Sequence, residues 1–281
     1  MSVATNGAQR ASGHPSPRLV VVVLAVLLAV SGLAASPPSV AAAVPAKVVI
    51  IVGPMGSMTA TNRDRADWLA ATARSYGADV IRLYSPNATW SRVKTYAQGA
   101  NVLIYLGHGN GWPSPYKPYQ PYTKDGLGLN SAAGNGNWNL RYWGEYYIRN
   151  YLKLAPNAVV ILNHLCYASG KSEPGRANPT KSVAIQRVDN YGAGFLRAGA
   201  RAVFAEANSS TSYILRGLFA TDQTMRQIFW SGPAAKGTYA FSFSSSRTPG
   251  MTATMDPYKP GTYYRSVIGN LDLTAATWRS P

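Results

Sequence analysis

Short apolar runs at residues 47–52, 79–84, 101–106, 158–162 and 201–206 alternate with longer stretches whose apolar residues recur every three or four positions. The first run, Lys-Val-Val-Ile-Ile-Val, stops at Gly53-Pro54. The stretch after it carries Ala66, Leu69, Ala70 and Ala73 at helical spacing and stops at Gly77. A pattern that switches between a period of 2 and one of 3.6 is what βαβ units require. The expectation is therefore an α/β fold: a doubly wound three-layer sandwich with a mostly parallel central sheet. Its five strands would be joined by helices near 62–76, 88–98, 141–152, 181–198 and 212–230.

Two segments depart from this pattern. Residues 109–139 are rich in Gly, Pro, Asn and Tyr, almost without periodicity, and too long for an ordinary connection. Residues 237–281 alternate only weakly, and short strands or coil packed on the domain are expected there. The chain shows no internal repeat.

The amino terminus sets the compartment. Arg10 and Arg18 precede an unbroken Leu, Val and Ala run from Leu19 to Val30, and small residues follow, Ala41-Ala42-Ala43 among them. That is the layout of a secretory signal, with cleavage after Ala43 favoured over a site near Ala34 and Ala35. The run is short for a membrane span of about 20 residues, so no stable span is expected after removal. Residues 44–281 then suffice for a single domain with a large core and no disulfide. The expected location is secreted or associated with the cell envelope.

Lys and Arg number 27 against 11 Asp and Glu, a formal charge of +16. Such a balance favours anionic surroundings such as cell-envelope polymers. The basic residues are scattered and no helix-turn-helix, RNA-binding or zinc-finger pattern occurs, so nucleic acid is not an expected partner.

The chain has one cysteine, Cys166, in Asn163-His164-Leu165-Cys166-Tyr167-Ala168-Ser169-Gly170, just after the fourth apolar run. An unpaired thiol in an exported protein has no disulfide to make. Ligands of open parallel sheets bind outside the carboxyl ends of the strands, where Cys166 stands after the fourth strand. His108 stands after the third, in Leu106-Gly107-His108-Gly109-Asn110. If those strands are neighbours, the imidazole can take the thiol proton and the thiolate can attack a carbonyl. The glycines beside His108 allow a sharp turn and a close approach, and the amides of Gly109 and Cys166 become candidate oxyanion donors.

His164 shares one face of an extended strand with Cys166. A core histidine, or a partner behind the dyad together with Asn163, is a better fit for it than the base itself. His108, His164 and Cys166 together would suit a tetrahedral metal, but their spacing matches no zinc signature, and neither metal nor other cofactor is expected. No Gly-x-Ser-x-Gly or phosphate-loop arrangement competes. For substrate binding, Glu206 with Asn208, or Glu173, could receive a basic side chain. The aromatic series Trp112, Tyr116, Tyr119, Tyr122, Trp138, Tyr142, Trp143, Tyr146, Tyr147 and Tyr151 could line a groove for peptide or sugar, with about half of it packing the loop onto the core.

An apolar strand ending in His-Gly, followed by a second that precedes a Cys-x-Ser/Thr/Ala-Gly turn, resembles the caspase-like (clan CD) cysteine peptidases: caspases, gingipains, clostripain, legumain and the CHAT proteins. The segment Gly192-Ala193-Gly194-Phe195-Leu196-Arg197-Ala198-Gly199-Ala200-Arg201-Ala202-Val203-Phe204 is similar to the CHAT segment in which a helix ends at an Ala-Gly-Ala turn and feeds the next strand. Leu165 stands where the family often has Ala or Ser, and the loop after His-Gly is unusually long and aromatic. The resemblance implies a caspase-like fold, with Cys166 as nucleophile, His108 as general base or acid and Gly109 as an oxyanion donor. The function expected is that of a secreted cysteine endopeptidase acting on peptide or protein substrates. The alternatives are a non-catalytic module of the same fold that grips cell-envelope glycan or peptide, and a metal-dependent hydrolase.

Overall fold

A computed structural model describes residues 45–280, so the expected signal segment lies outside the described residues. In chain order the elements are β1 (Lys47–Val52), α1 (Met58–Ser75), β2 (Asp79–Tyr84), α2 (Trp90–Tyr96), β3 (Val102–Leu106), β4 (Leu127–Asn130), β5 (Leu140–Trp143), α3 (Glu145–Tyr151), β6 (Val159–Asn163), α4 (Lys181–Arg197), β7 (Ala202–Glu206), α5 (Ser212–Ala220), α6 (Met225–Trp230), β8 (Phe241–Ser244), β9 (Thr252–Met255), β10 (Arg265–Gly269) and α7 (Ala275–Arg279). Eight strands form one sheet in the order β2-β1-β3-β6-β7-β10-β9-β8. The first five are parallel, and the last three join antiparallel. No helix among the described residues is long and apolar enough to cross a membrane.

Continuous apolar runs are explained by cover on both faces. Val48, Ile50 and Val52 point to one side, where they meet Ala66, Leu69, Ala70 and Ala73 of α1 and apolar residues of α5, α6 and α7. Val49 and Ile51 point to the other, into a core shared with Trp90, Val93, Ile148, Val188, Tyr191 and Phe195 of α2, α3 and α4. Each fully buried Val, Leu or Ile stabilises by about 1.5–3 kcal/mol relative to exposure. A one-residue slip of β1 would exchange its two faces.

Three segments add to or differ from the sequence expectation. The stretch 109–139 contains β4, which pairs antiparallel with β5 in a separate two-stranded sheet, and α3 consequently begins at Glu145. The helix expected over 212–230 is two helices. The second restarts at Thr224, whose hydroxyl and Gln227 form a reciprocal cap. In the tail, β8, β9 and β10 extend the main sheet.

One buried ion-pair network joins the antiparallel part to the parallel part. Arg265, 3% exposed and directly opposite Glu206 in the β10–β7 register, donates from Nε to Glu206 Oε1 at 2.8 Å and from Nη1 to Asp256 Oδ2 at 2.8 Å. Its Nη2 donates to the Phe229 carbonyl at 2.7 Å, and the Tyr213 hydroxyl donates to Glu206 at 2.5 Å. Replacing Arg265 by Met leaves two buried carboxylates unpaired and is expected to cost about 3–5 kcal/mol of stability in urea unfolding. A loss below about 1 kcal/mol would show that the network is not a clamp.

Candidate active site

Strands β1 and β3 lie side by side, while β2 and β6 continue the sheet in opposite directions from them. Such a reversal opens a crevice at the carboxyl ends of the strands. The crevice is present here as a cavity of about 800 Å³, lined by Met55 beyond β1, His108, Gly109 and Asn110 beyond β3, and Cys166 and Glu173 beyond β6. Neighbouring parallel strands bring these loops together: Leu106 of β3 is in register with Asn163 of β6.

The His108 loop is set from inside β3. Tyr105 is fully buried, and its hydroxyl lies 2.9 Å from the carbonyl oxygens of both His108 and Gly128 while accepting the Gly128 N–H at 2.9 Å. Burial pushes this phenol well above its ordinary pKa, so it stays a neutral donor that holds the turn against β4. A Cβ on Gly109 would come within 2.0 Å of the Cys166 carbonyl oxygen. Only glycine permits this contact, which lays the two loops backbone against backbone. The N–H groups of Gly109 and Cys166 donate to no acceptor among the described residues.

The Cys166 loop is built from polar anchors and two residues with positive φ, His164 at 58° and Tyr167 at 68°. Asn163 donates from Nδ2 to the Glu206 and Ser209 carbonyls at 3.1 and 2.9 Å, and the His164 amide donates to the Glu206 carbonyl at 2.9 Å. Ser169 Oγ donates to the Tyr263 carbonyl at 2.9 Å. The Tyr167 hydroxyl donates to Glu173, and the Arg187 guanidinium lies 4.8 Å from the centre of the Tyr167 ring. Tyr116 donates to the other Glu173 oxygen at 2.9 Å.

Both members of the candidate pair are half-buried, and burial dominates their titration. It pushes the Cys166 thiol above its ordinary 9.0, with Lys171 opposing and Glu173 reinforcing. It lowers His108 below 6.5, with Glu173 opposing. At neutral pH the pair therefore rests as thiol and uncharged imidazole, and the imidazole is free to accept a proton.

Several sequence expectations need correcting. His164 does not share a face with Cys166: β6 ends at Asn163, the positive φ at His164 turns the chain, and the imidazole lines a second cavity beside α1 and α5. The three candidate metal ligands therefore do not converge, and no cluster of His, Cys, Asp and Glu among the described residues could hold a metal ion. Glu206 is taken up by Arg265 and Tyr213 and does not face the Cys166 cavity. Trp112 lies outside that cavity as well; its amide donates to Asp125 Oδ1 at 2.9 Å, and its ring packs 5.9 Å from that of Tyr119. Asn208 lines two smaller cavities and not the main one, whereas Glu173 lines the main one.

Other lining residues were not singled out by sequence reasoning. Lys124 is buried, donating to Asn110 Oδ1 at 2.8 Å and Ser114 Oγ at 3.1 Å, and Lys117 stands at the cavity beside it. Tyr116 and Tyr142, two members of the aromatic series, line the cavity. Burial and the neighbouring Cys166 push Tyr142 up to about 12. Trp143, Tyr146, Tyr147 and Tyr151 instead pack among themselves and with Trp90. The one available signal for Tyr105 was a lone aromatic in an otherwise aliphatic strand.

No family model matches the chain, and no curated protein matches it. Two solved structures are similar to it. A secreted C11 cysteine protease from Bacteroides thetaiotaomicron, solved with an irreversible peptide inhibitor, is 10% identical with a TM-score of 0.39, over 76% of this chain and 66% of that one. The Arg-specific cysteine proteinase gingipain R is 13% identical with a TM-score of 0.31, over 82% and 62%. The chain thus spans slightly less than two thirds of each, and likenesses this distant fix no residue's role.

Gly109→Ala is expected to lower stability by about 1–3 kcal/mol in urea unfolding, because its methyl group would have to displace the Cys166 loop. An unchanged midpoint would contradict the backbone contact.

Proposed function

We propose that the chain is a secreted cysteine endopeptidase with Cys166 as nucleophile and His108 as its proton acceptor. The observation that carries this reading is that thiol and imidazole line one cavity at the carboxyl edge of the sheet, with the Gly109 and Cys166 amides unused beside them. A substrate carbonyl oxygen placed against those two amides gains donors for the charge that develops on it. As Cys166 Sγ bonds to the carbonyl carbon, its proton passes to His108. Collapse of the tetrahedral adduct breaks the C–N bond, and His108 returns the proton to the leaving amine. Water then attacks the thioester, giving its proton to His108, and the acid product leaves as the thiol re-forms.

A neutral resting pair suits this sequence, since the proton moves only when a substrate is in place. Uncharged groups also suit a half-buried site, where a thiolate and imidazolium would lose hydration. Export by the 1–43 segment would put the enzyme outside the cell, where its charge, +14 once Arg10 and Arg18 are removed with that segment, favours residence on anionic envelope polymers. Peptide or protein is the substrate.

A peptidyl acyloxymethyl ketone is expected to form one adduct on Cys166, and His108→Ala to slow the reaction by about 10²–10⁴-fold, measured by intact mass against time. Labelling no faster in the folded chain than in urea would sink the proposal. With iodoacetamide, which needs thiolate and no partner, the rate at Cys166 is expected to climb until the pH passes 9.0, because burial raises this thiol above that value. A plateau between pH 6 and 8 would mean a preformed ion pair instead.

A further inference from the structure

The two helical layers of the sheet differ in charge. On the layer of α2, α3 and α4, Arg92, Lys94, Arg141, Lys153 and Lys181 are exposed, and none has a carboxylate in salt-bridge reach among the described residues. The two acids carried by these helices, Glu145 and Asp189, are both buried. Glu145 is shared by Arg149, Arg197 and Arg247 at 3.6, 3.2 and 2.6 Å, three guanidiniums against one carboxylate. Asp189 accepts from Ser245 and Ser246. The exposed carboxylates belong to other elements: Asp64 and Asp67 to α1, Asp79 to the start of the edge strand β2, Asp222 to the turn between α5 and α6, and Asp272 to the turn before α7. A face with cations at its surface and its acids inside is complementary to an anionic partner.

Tyrosines are interleaved with these cations. Tyr96, Tyr122 and Tyr151 are 41, 51 and 44% exposed. The Lys94 ammonium lies 5.9 Å from the centre of the Tyr151 ring, and the Arg92 guanidinium lies 5.9 Å from that of Tyr96. Tyr146 bridges Tyr122 and Tyr151, its ring centroid 4.7 and 6.3 Å from theirs, so the rings form one continuous surface. Such rings offer a flat apolar face with a hydroxyl at its edge, which suits the faces of sugar rings, while the cations beside them suit negative groups on those sugars. The exposed residues of α2, α3 and α4 include no Leu, Ile, Val, Met or Phe, so the face lacks side chains to enter a bilayer. None of the five cations or three exposed tyrosines lines the Cys166 cavity.

We infer that the α2–α3 face binds an acidic polysaccharide, with sugar rings against Tyr122 and Tyr151 and their negative groups on Arg92, Lys94 and Lys153. The inference holds whether or not Cys166 is a nucleophile. It goes beyond the general attraction of a basic chain, because it names one face and requires sugar rings as well as charge.

The test follows binding of a fluorescein-labelled galacturonic acid decasaccharide by anisotropy at low ionic strength. Its uncharged methyl ester and a single-stranded oligonucleotide of equal charge serve as the other probes. The acid saccharide is expected to bind about tenfold or more tighter than its ester and tighter than the oligonucleotide. Lys94→Gln with Lys153→Gln is expected to weaken it by about tenfold. Arg74→Gln with Arg216→Gln, on α1 and α5 of the opposite layer, removes the same charge and is expected to weaken it by less than about threefold. None of these four side chains makes an ion pair among the described residues, so the fold does not rest on their charge. Tyr122→Ser with Tyr151→Ser leaves net charge unchanged and is expected to cost about threefold or more. No binding of the acid saccharide, equal weakening by the two charge pairs, no loss from the tyrosine pair, or tighter binding of the oligonucleotide would overturn the inference.

Discussion

The parallel pairing of β3 with β6 is the contact on which the site depends. Register between Leu106 and Asn163 brings the ends of two strands, separated by more than fifty residues of intervening chain, to one edge of the sheet. Everything chemical is then a matter of how the two loops leave that edge. Tyr105 holds one from below, Asn163 ties the other to the end of β7, and Gly109 lets them touch without an intervening side chain. Rigid strands below and anchored turns above give the preorganisation that a nucleophile and its oxyanion donors need.

The environment of the pair decides its resting state. Burial opposes charge on both Cys166 and His108, and Glu173, the one acid lining their cavity, is held by Tyr116 and Tyr167. On the far side of β6, burial, Arg65 and Lys171 lower His164 as well, against a backbone hydrogen bond with Ala207. The sheet edge thus carries two cavities, one lined by Cys166 and the other by His164, two residues apart in the chain.

How much of this was legible follows from burial and from distance along the chain. Four of the five parallel strands, β1, β3, β6 and β7, could be read because each is covered on both faces and so becomes a nearly unbroken apolar run, whereas β2 is a partly exposed edge strand that carries Asp79 and Arg82. The hairpin of β4 and β5 could not, since Leu-Gly-Leu-Asn and Leu-Arg-Tyr-Trp are short and sit among turn residues. The edge strand β8, Phe-Ser-Phe-Ser, is only half covered and showed a faint alternation. That Cys166 and His108 would come to one edge of the sheet was legible because each follows an apolar run, and neighbouring parallel strands bring their ends together. His164 was misplaced because nothing in Asn-His-Leu-Cys announces a positive φ. Glu206 was misread because its partner, Arg265, lies 59 residues further on, in the tail whose periodicity is weakest.

The most direct measurement is a crystal structure of the chain after reaction with a peptidyl ketone. The adduct is expected on Cys166, with the former carbonyl oxygen within about 3 Å of both the Gly109 and Cys166 amide nitrogens and His108 in hydrogen-bonding reach of the reacting centre. An adduct oxygen turned to solvent away from both amides, or modification at a residue other than Cys166, would contradict the assignment of this sheet edge as a catalytic site.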